Sequence, residues 1–134
     1  GSPEDILEGI SMGVDVFDST FPTQNARHGT IFTSEGKIRI TNQEYKEDFK
    51  PLDENCGCFV CKNYSRAYLH YLTRMQEPAG KRLNTYHNLY FMQDMLNKAK
   101  KAISDGAFKD YKADLVEKYR KSDKKIVGSG VRIV

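Results

Sequence analysis

All the cysteines of this chain lie in one stretch, ENCGCFVCKNYS, as Cys56, Cys58 and Cys61. Nothing else in the sequence constrains the fold as tightly. Thiolates are soft ligands, and three of them spaced Cys-x-Cys-x2-Cys suggest a zinc ion, whose tetrahedron is completed by a fourth thiolate or an imidazole. The alternative is three free thiols, which carry a standing cost in oxidation. An odd cysteine count rules out a complete disulfide framework and fits a reducing, cytoplasmic setting. A closed site of four protein ligands leaves no position for water, so it holds structure rather than doing chemistry.

The fourth ligand must come from His28, His70 or His87. His70 falls inside a helix expected to begin near Ser65, where a histidine is usually at or near the surface. His28 lies in a loop, where a backbone or substrate role suits it equally. His87 falls in the first turn of a long helix expected over residues 85–105, and a helix end can swing in to complete a site. Spacing favours His87 without excluding the other two.

Around the cluster the chain reads as mixed α and β. Ser2, Pro3 and Asp5 make a helix start, with Ser2 as cap and Pro3 in the first turn. Ile6, Leu7 and Ile10 form its apolar stripe, and Gly13 stops it. Residues 14–18, VDVFD, read as a short strand, which with the helix makes half of a β/α unit. Residues 19–30 read as loop. Ile31 and Phe32 on one arm and Ile38 and Ile40 on the other make a hairpin about a Ser34-Glu35-Gly36 turn. The cysteines are expected in a loop between hairpin and helix. The helix after them carries Ala67 or Tyr68, Tyr71 or Leu72, and Met75 at helical spacing, and ends before Pro78 and Gly80. In the long helix Leu89, Met92, Leu96, Ala99 and Ile103 recur at three- and four-residue steps. A last helix over 108–121 has Phe108, Tyr111, Leu115 and Tyr119 on one side. The tail KIVGSGVRIV fits short strands or unpaired ends.

A chain of 134 residues is one domain or part of a larger one. Its net charge of +3 permits contact with nucleic acid without demanding it. No run approaches the length of a membrane span, and no basic-then-apolar leader is present. Gly1-Ser2 is equally readable as native or as a cloning scar.

Asp18 ends the 14–18 strand. In a β/α barrel, groups at the C-terminal ends of strands face the active site, so a carboxylate there is a candidate nucleophile or base. A lone Asp at such a place more often caps a turn. Alternation puts Asp15 on the opposite face.

The segments GVDVFDSTFPTQNARHGTIFTSEGKIRI, PLDENCGCFVCKNYSRAYLHYL and LNTYHNLYFMQDM, in this order, resemble the C-terminal part of bacterial tRNA-guanine transglycosylases (queuine tRNA-ribosyltransferases). The resemblance covers about residues 1–118. It implies the C-terminal portion of a (β/α)8 TIM barrel with an inserted zinc-binding subdomain. The implied divisions are 1–29 as the last β/α unit and active-site loop, 30–84 as the zinc subdomain, and 85–134 as closing helices and tail. It further implies exchange of the wobble guanine of tRNA for 7-aminomethyl-7-deazaguanine in queuosine biosynthesis. Asp18 would be the nucleophile, forming a covalent ester with the ribose in a retaining double displacement. One structural Zn²⁺ would sit on Cys56, Cys58, Cys61 and His87. RNA contacts would come from Gly1, Ser2, Pro3, Glu4 and Asp5, and from Thr23, Gln24, Asn25, Ala26 and Arg27. The implied partners are tRNA, a small 7-deazaguanine substrate and a second copy in a homodimer; no membrane is involved.

Gln24 stands where the family usually has a basic residue, and Ser19 where it often has Cys; weaker or differently placed RNA contact is expected. A whole barrel needs at least about 200 residues. The pocket that reads guanine and a second catalytic Asp come from earlier strands in the family. The expectation is therefore a C-terminal part of the enzyme, inactive alone. The alternative is a non-catalytic, zinc-bearing RNA-binding or partner-subunit module.

Overall fold

The computed structural model describes Pro3, Leu7, Asn25, Ala26 and residues 28–128, with side chains through Ser122. Strand 14–18 and the tail beyond 128 lie outside the described residues. Pro3 and Leu7 are helical, in keeping with the expected first helix. Asn25 and Ala26 are helical too, which corrects the expectation of unbroken loop there.

The hairpin forms where expected. Strand β1 (Thr30–Thr33) pairs antiparallel with β2 (Gly36–Arg39), with Ile31 opposite Ile38 and Thr33 opposite Gly36. The turn is thus Ser34-Glu35, and Gly36 belongs to the second strand. Gly36 has φ +117, and a Cβ there would lie 2.7 Å from the Ser122 Cβ. Both the backbone conformation and the close approach of another segment require glycine.

Four helices follow: α1 (Phe59–Asn63), α2 (Arg66–Arg74), α3 (Pro78–Ser104) and α4 (Phe108–Gly128). A single 3-10 turn, Gln43–Tyr45, interrupts the polar segment before α1. That segment is organised by Arg66. Its Nε donates to the Pro51 carbonyl at 3.0 Å and Nη2 to Leu52 at 3.0 Å, while Nη1 pairs with Asp48 at 3.2 Å. Its guanidinium also lies 5.5 Å from the centroid of the Tyr45 ring. One planar fork thereby ties three loop residues to the start of α2.

Three expectations need correction. The cysteines are not all in loop: Cys58 caps α1, its Sγ accepting from the Cys61 amide at 3.3 Å, and Cys61 lies within α1. The long helix starts at Pro78, not near residue 85, so His87 sits in its interior rather than its first turn. Pro78 and Gly80 do not merely lie beyond the end of α2 but open α3. Pro78 in fact occupies the first turn, where its missing amide costs nothing. Gly80 is there because a Cβ would lie 2.9 Å from the Leu72 Cβ of α2. The start of the tail, expected as short strand or unpaired end, is helical through Gly128.

The hairpin separates two apolar clusters. Consecutive residues of a strand point to opposite faces, and Ile31 and Phe32 do so here. Phe32 packs with Leu7, Phe91, Met92, Met95, Ala99, Leu115 and Tyr119 against the long helices. Ile31 packs with Ile40, Tyr45, Leu52, Val60, Leu69 and two of the cysteines. Full burial of a side chain such as Phe32 contributes roughly 1.5–3 kcal/mol. The hairpin's outer edges are also held. The Lys37 amide donates to Ser122 Oγ of α4 at 3.2 Å, and Tyr119 Oη donates to the Thr33 carbonyl at 2.9 Å. On β1 the edge is held by α3.

The stripe on α4 is as expected, with Leu115 and Tyr119 buried and Phe108 and Tyr111 half-buried against the core. On α2 it holds only at Leu72: Tyr68, Tyr71 and Met75 are exposed, and the buried face is Leu69, His70 and Leu72. On α3 Met92 and Ala99 are buried, but Leu89 and Ile103 are exposed, and Asn84, His87 and Asn88 are inside. No helix among the described residues is long and apolar enough to cross a membrane.

Candidate metal centre

The loop ahead of α1 brings Cys56 over the pair held by that helix. The Cys56 amide donates to the Asp53 carbonyl at 3.1 Å, closing a turn. The Asp53 carboxylate, itself buried, accepts from the amides of Ser34 and Asn55 at 2.7 and 3.0 Å. The cysteine loop is therefore tied to the hairpin turn.

From the interior of α3, His87 enters the group. Its Nδ1 lies 3.9 Å from Cys56 Sγ, 3.4 Å from Cys58 Sγ and 3.4 Å from Cys61 Sγ. The four ligand atoms all fall within 4.8 Å of one another. For a tetrahedral zinc, bond lengths of roughly 2.3 Å to sulfur and 2.0 Å to nitrogen put S and N about 3.5 Å apart. The observed separations bracket that value. The other ring nitrogen, Nε2, lies 2.7 Å from the Phe32 carbonyl, which can only accept. Nε2 therefore carries a proton, and Nδ1 is the nitrogen that faces the three sulfurs, where its lone pair would meet a metal ion once its own proton is lost.

Crowding sets the electrostatics. Hydrogen bonds from Cys56 and Cys61 push the Cys58 thiol far down, while hydrogen bonds to Cys56 and Cys58 push Cys61 up. Burial disfavours charge on the His87 ring, but hydrogen bonds to Cys56 and Cys58 outweigh it and raise its pKa to about 9. These residues fit a metal ion in donor type, number, spacing and tautomer.

The other two histidines are elsewhere. His28 is exposed in a turn. His70 is buried, not at the surface as expected, with Nδ1 2.7 Å from the Ile40 carbonyl, so its proton fixes α2 to the end of β2. Among the described residues the Cys3His cluster is the one group placed to hold a metal.

Of the remaining candidate residues, Gly1, Ser2, Glu4, Asp5, Asp18, Thr23, Gln24 and Arg27 lie outside the described residues. Pro3 and Ala26 are buried, and Asn25 is half-buried. The sequence reading missed two features. Asn88, beside His87, is fully buried against β1. On the outside, Tyr64 lies between Phe59 and Tyr68, with ring centroids 5.9 and 5.4 Å away. The helical spacing of Tyr64, Tyr68 and Tyr71 could have flagged an aromatic face. Nothing local signals Asn88.

A family model described as "Queuine tRNA-ribosyltransferase" matches residues 1–121. The chain is 48% identical over 122 residues to a queuine tRNA-ribosyltransferase of Chromobacterium violaceum, covering 91% of this chain and 33% of that protein. It is also 48% identical over 119 residues to those of Halothermothrix orenii and Fusobacterium nucleatum, covering 89% of this chain and 32% of each. The chain thus spans about a third of the length of the curated relatives it matches.

Proposed function

The chain belongs to the queuine tRNA-ribosyltransferase family, and on that premise we propose that it is the nucleophile- and zinc-bearing part of a tRNA-guanine transglycosylase. The observation that carries the reading is the Cys3His cluster, closed and correctly tautomeric, within a chain that the family model matches almost throughout.

In the proposed reaction the Asp18 carboxylate attacks the anomeric carbon of the wobble nucleotide. The glycosidic bond breaks, its electron pair leaves with guanine, which takes up a proton, and a ribosyl ester remains on Asp18. The incoming 7-aminomethyl-7-deazaguanine loses a proton, its nitrogen attacks the same carbon, and the carboxylate is released. Residues 1–29 would belong to the (β/α)8 barrel. Residues 30–84 would form the zinc-binding unit, joined through α3 to the closing helices of 85–134. RNA would be met by residues 1–5 and 23–27. A bound Zn²⁺ would cross-link the cysteine loop to α3 and take no part in the chemistry. A cytoplasmic setting is supported by three unpaired thiols. Dimerisation with a second copy is supported by the exposed aromatic face of Phe59, Tyr68 and Tyr71.

Asp18→Asn in the full-length protein tests the reaction. An amide cannot form the ester, yet volume is unchanged, so the tRNA adduct on a denaturing gel should vanish while the melting temperature holds. An adduct persisting in well-folded Asp18→Asn protein would show that another residue attacks. Lost stability with retained activity would make Asp18 a turn cap.

A further inference from the structure

The pairing of β1 with β2 places the amide and carbonyl of Phe32 and the carbonyl of Thr30 on the strand's outer edge, away from β2. Such edge groups, once buried, need partners. No third strand supplies them among the described residues. Instead the Phe32 amide donates to Asn88 Oδ1 at 3.1 Å, and Asn88 Nδ2 donates to the Thr30 carbonyl at 2.9 Å. The carboxamide thus accepts from residue 32 and donates to residue 30, as one residue of a parallel neighbouring strand would. The remaining outward group, the Phe32 carbonyl, takes the proton of His87 Nε2 at 2.7 Å. Two adjacent side chains of α3 therefore share one peptide segment of β1.

From this juxtaposition we infer that Asn88 is a positioning residue of the metal centre. By holding the Thr30 carbonyl and the Phe32 amide, on either side of Ile31 and immediately ahead of the Phe32 carbonyl, it fixes where that carbonyl points. The carbonyl in turn fixes the His87 proton on Nε2 and leaves Nδ1 free to ligate. Asn88 is fully buried and bonds in both directions, so its amide cannot rotate without losing two bonds. The inference rests on the reading of the Cys3His group as a metal site.

The test uses the full-length protein, with Zn²⁺ and Co²⁺ as probes. Zinc affinity is measured by competition with a chromophoric chelator at fixed pH, and the His87 tautomer by nitrogen chemical shifts. Asn88→Ala should weaken zinc binding about 10- to 100-fold, the range typical for residues that orient a ligating histidine. It should also mix the two ring tautomers and broaden the Co²⁺ absorption bands. Asn88→Asp, which keeps the size and the acceptor but sets a carboxylate against the Thr30 carbonyl, should weaken binding too, and serves if the alanine variant folds poorly. Leu115→Ala is the control, since it opens the same core without touching the strand edge. If Asn88→Ala lowers zinc affinity no more than Leu115→Ala and the tautomer is unchanged, Asn88 is only packing and the assignment falls. If the unsubstituted protein binds neither ion, the metal reading itself fails and takes this inference with it.

Discussion

At the scale of single residues, the metal centre depends on protons being in the right places. At pH 7.5 the metal-free His87 ring, raised to about 9, and the Cys61 thiol, pushed up by its sulfur neighbours, both still hold protons. Zinc bound as proposed would have to displace them, so uptake should release protons and affinity should rise with pH. Below pH 6 the ligands recapture protons and zinc should leave; a weakly buffered titration with a pH dye and a zinc-sensitive dye reads both. Affinity that stays flat between pH 5 and 8 would mean that these groups are not the ligands. His87→Ala removes a ligand and also leaves the Phe32 carbonyl buried without its donor. Binding free energies of roughly 10–16 kcal/mol are typical of structural zinc at neutral pH, comparable to a whole domain's stability.

At the scale of elements, Gly36 is the tightest point. Gly36→Ala meets both an unfavourable φ and the Ser122 side chain at under 3 Å, against α4. Strain of this kind costs of the order of 1–3 kcal/mol, and chemical denaturation should show that loss with zinc content intact. An unchanged midpoint would mean that α4 can retreat without penalty. The hairpin was legible because the apolar pairs Ile31-Phe32 and Ile38-Ile40 flank a short polar stretch followed by a glycine, and α4 because Phe108, Tyr111, Leu115 and Tyr119 keep a helical period. The α2 face was not: Tyr68 and Tyr71 count as apolar by composition but lie outward, while His70 is drawn inside by the Ile40 carbonyl. The start of α3 was missed because Pro78 opens a helix as readily as it ends one, and Gly80 answers to Leu72 across the interface. The ligands themselves were legible from type and spacing. Asn88 was not, because its place is set by a strand 56 residues away in sequence.

At the scale of the whole molecule, the proposed dimerisation rests on the aromatic face. Tyr68→Ser would remove the ring on which Tyr64 stacks and lower the apolar area on offer to a second copy. If the full-length protein dimerises through this face as proposed, it should shift toward monomer in sedimentation at micromolar concentration, with metal content unchanged. A sedimentation coefficient unmoved by the change would place the subunit contact elsewhere. One further consequence lies in the alternation of Ile31 and Phe32 across the hairpin. If β1 slipped by one residue against β2, the two side chains would exchange compartments, and every edge group would reverse its direction. His87 Nε2–H would then face an amide rather than a carbonyl, and Nδ1 would lose its claim to be the donor. A zinc ion bound there as proposed, demanding four correctly aimed ligands, would thus act as a proofreader of strand alignment, withholding its binding energy from a hairpin that has zipped one step out of place.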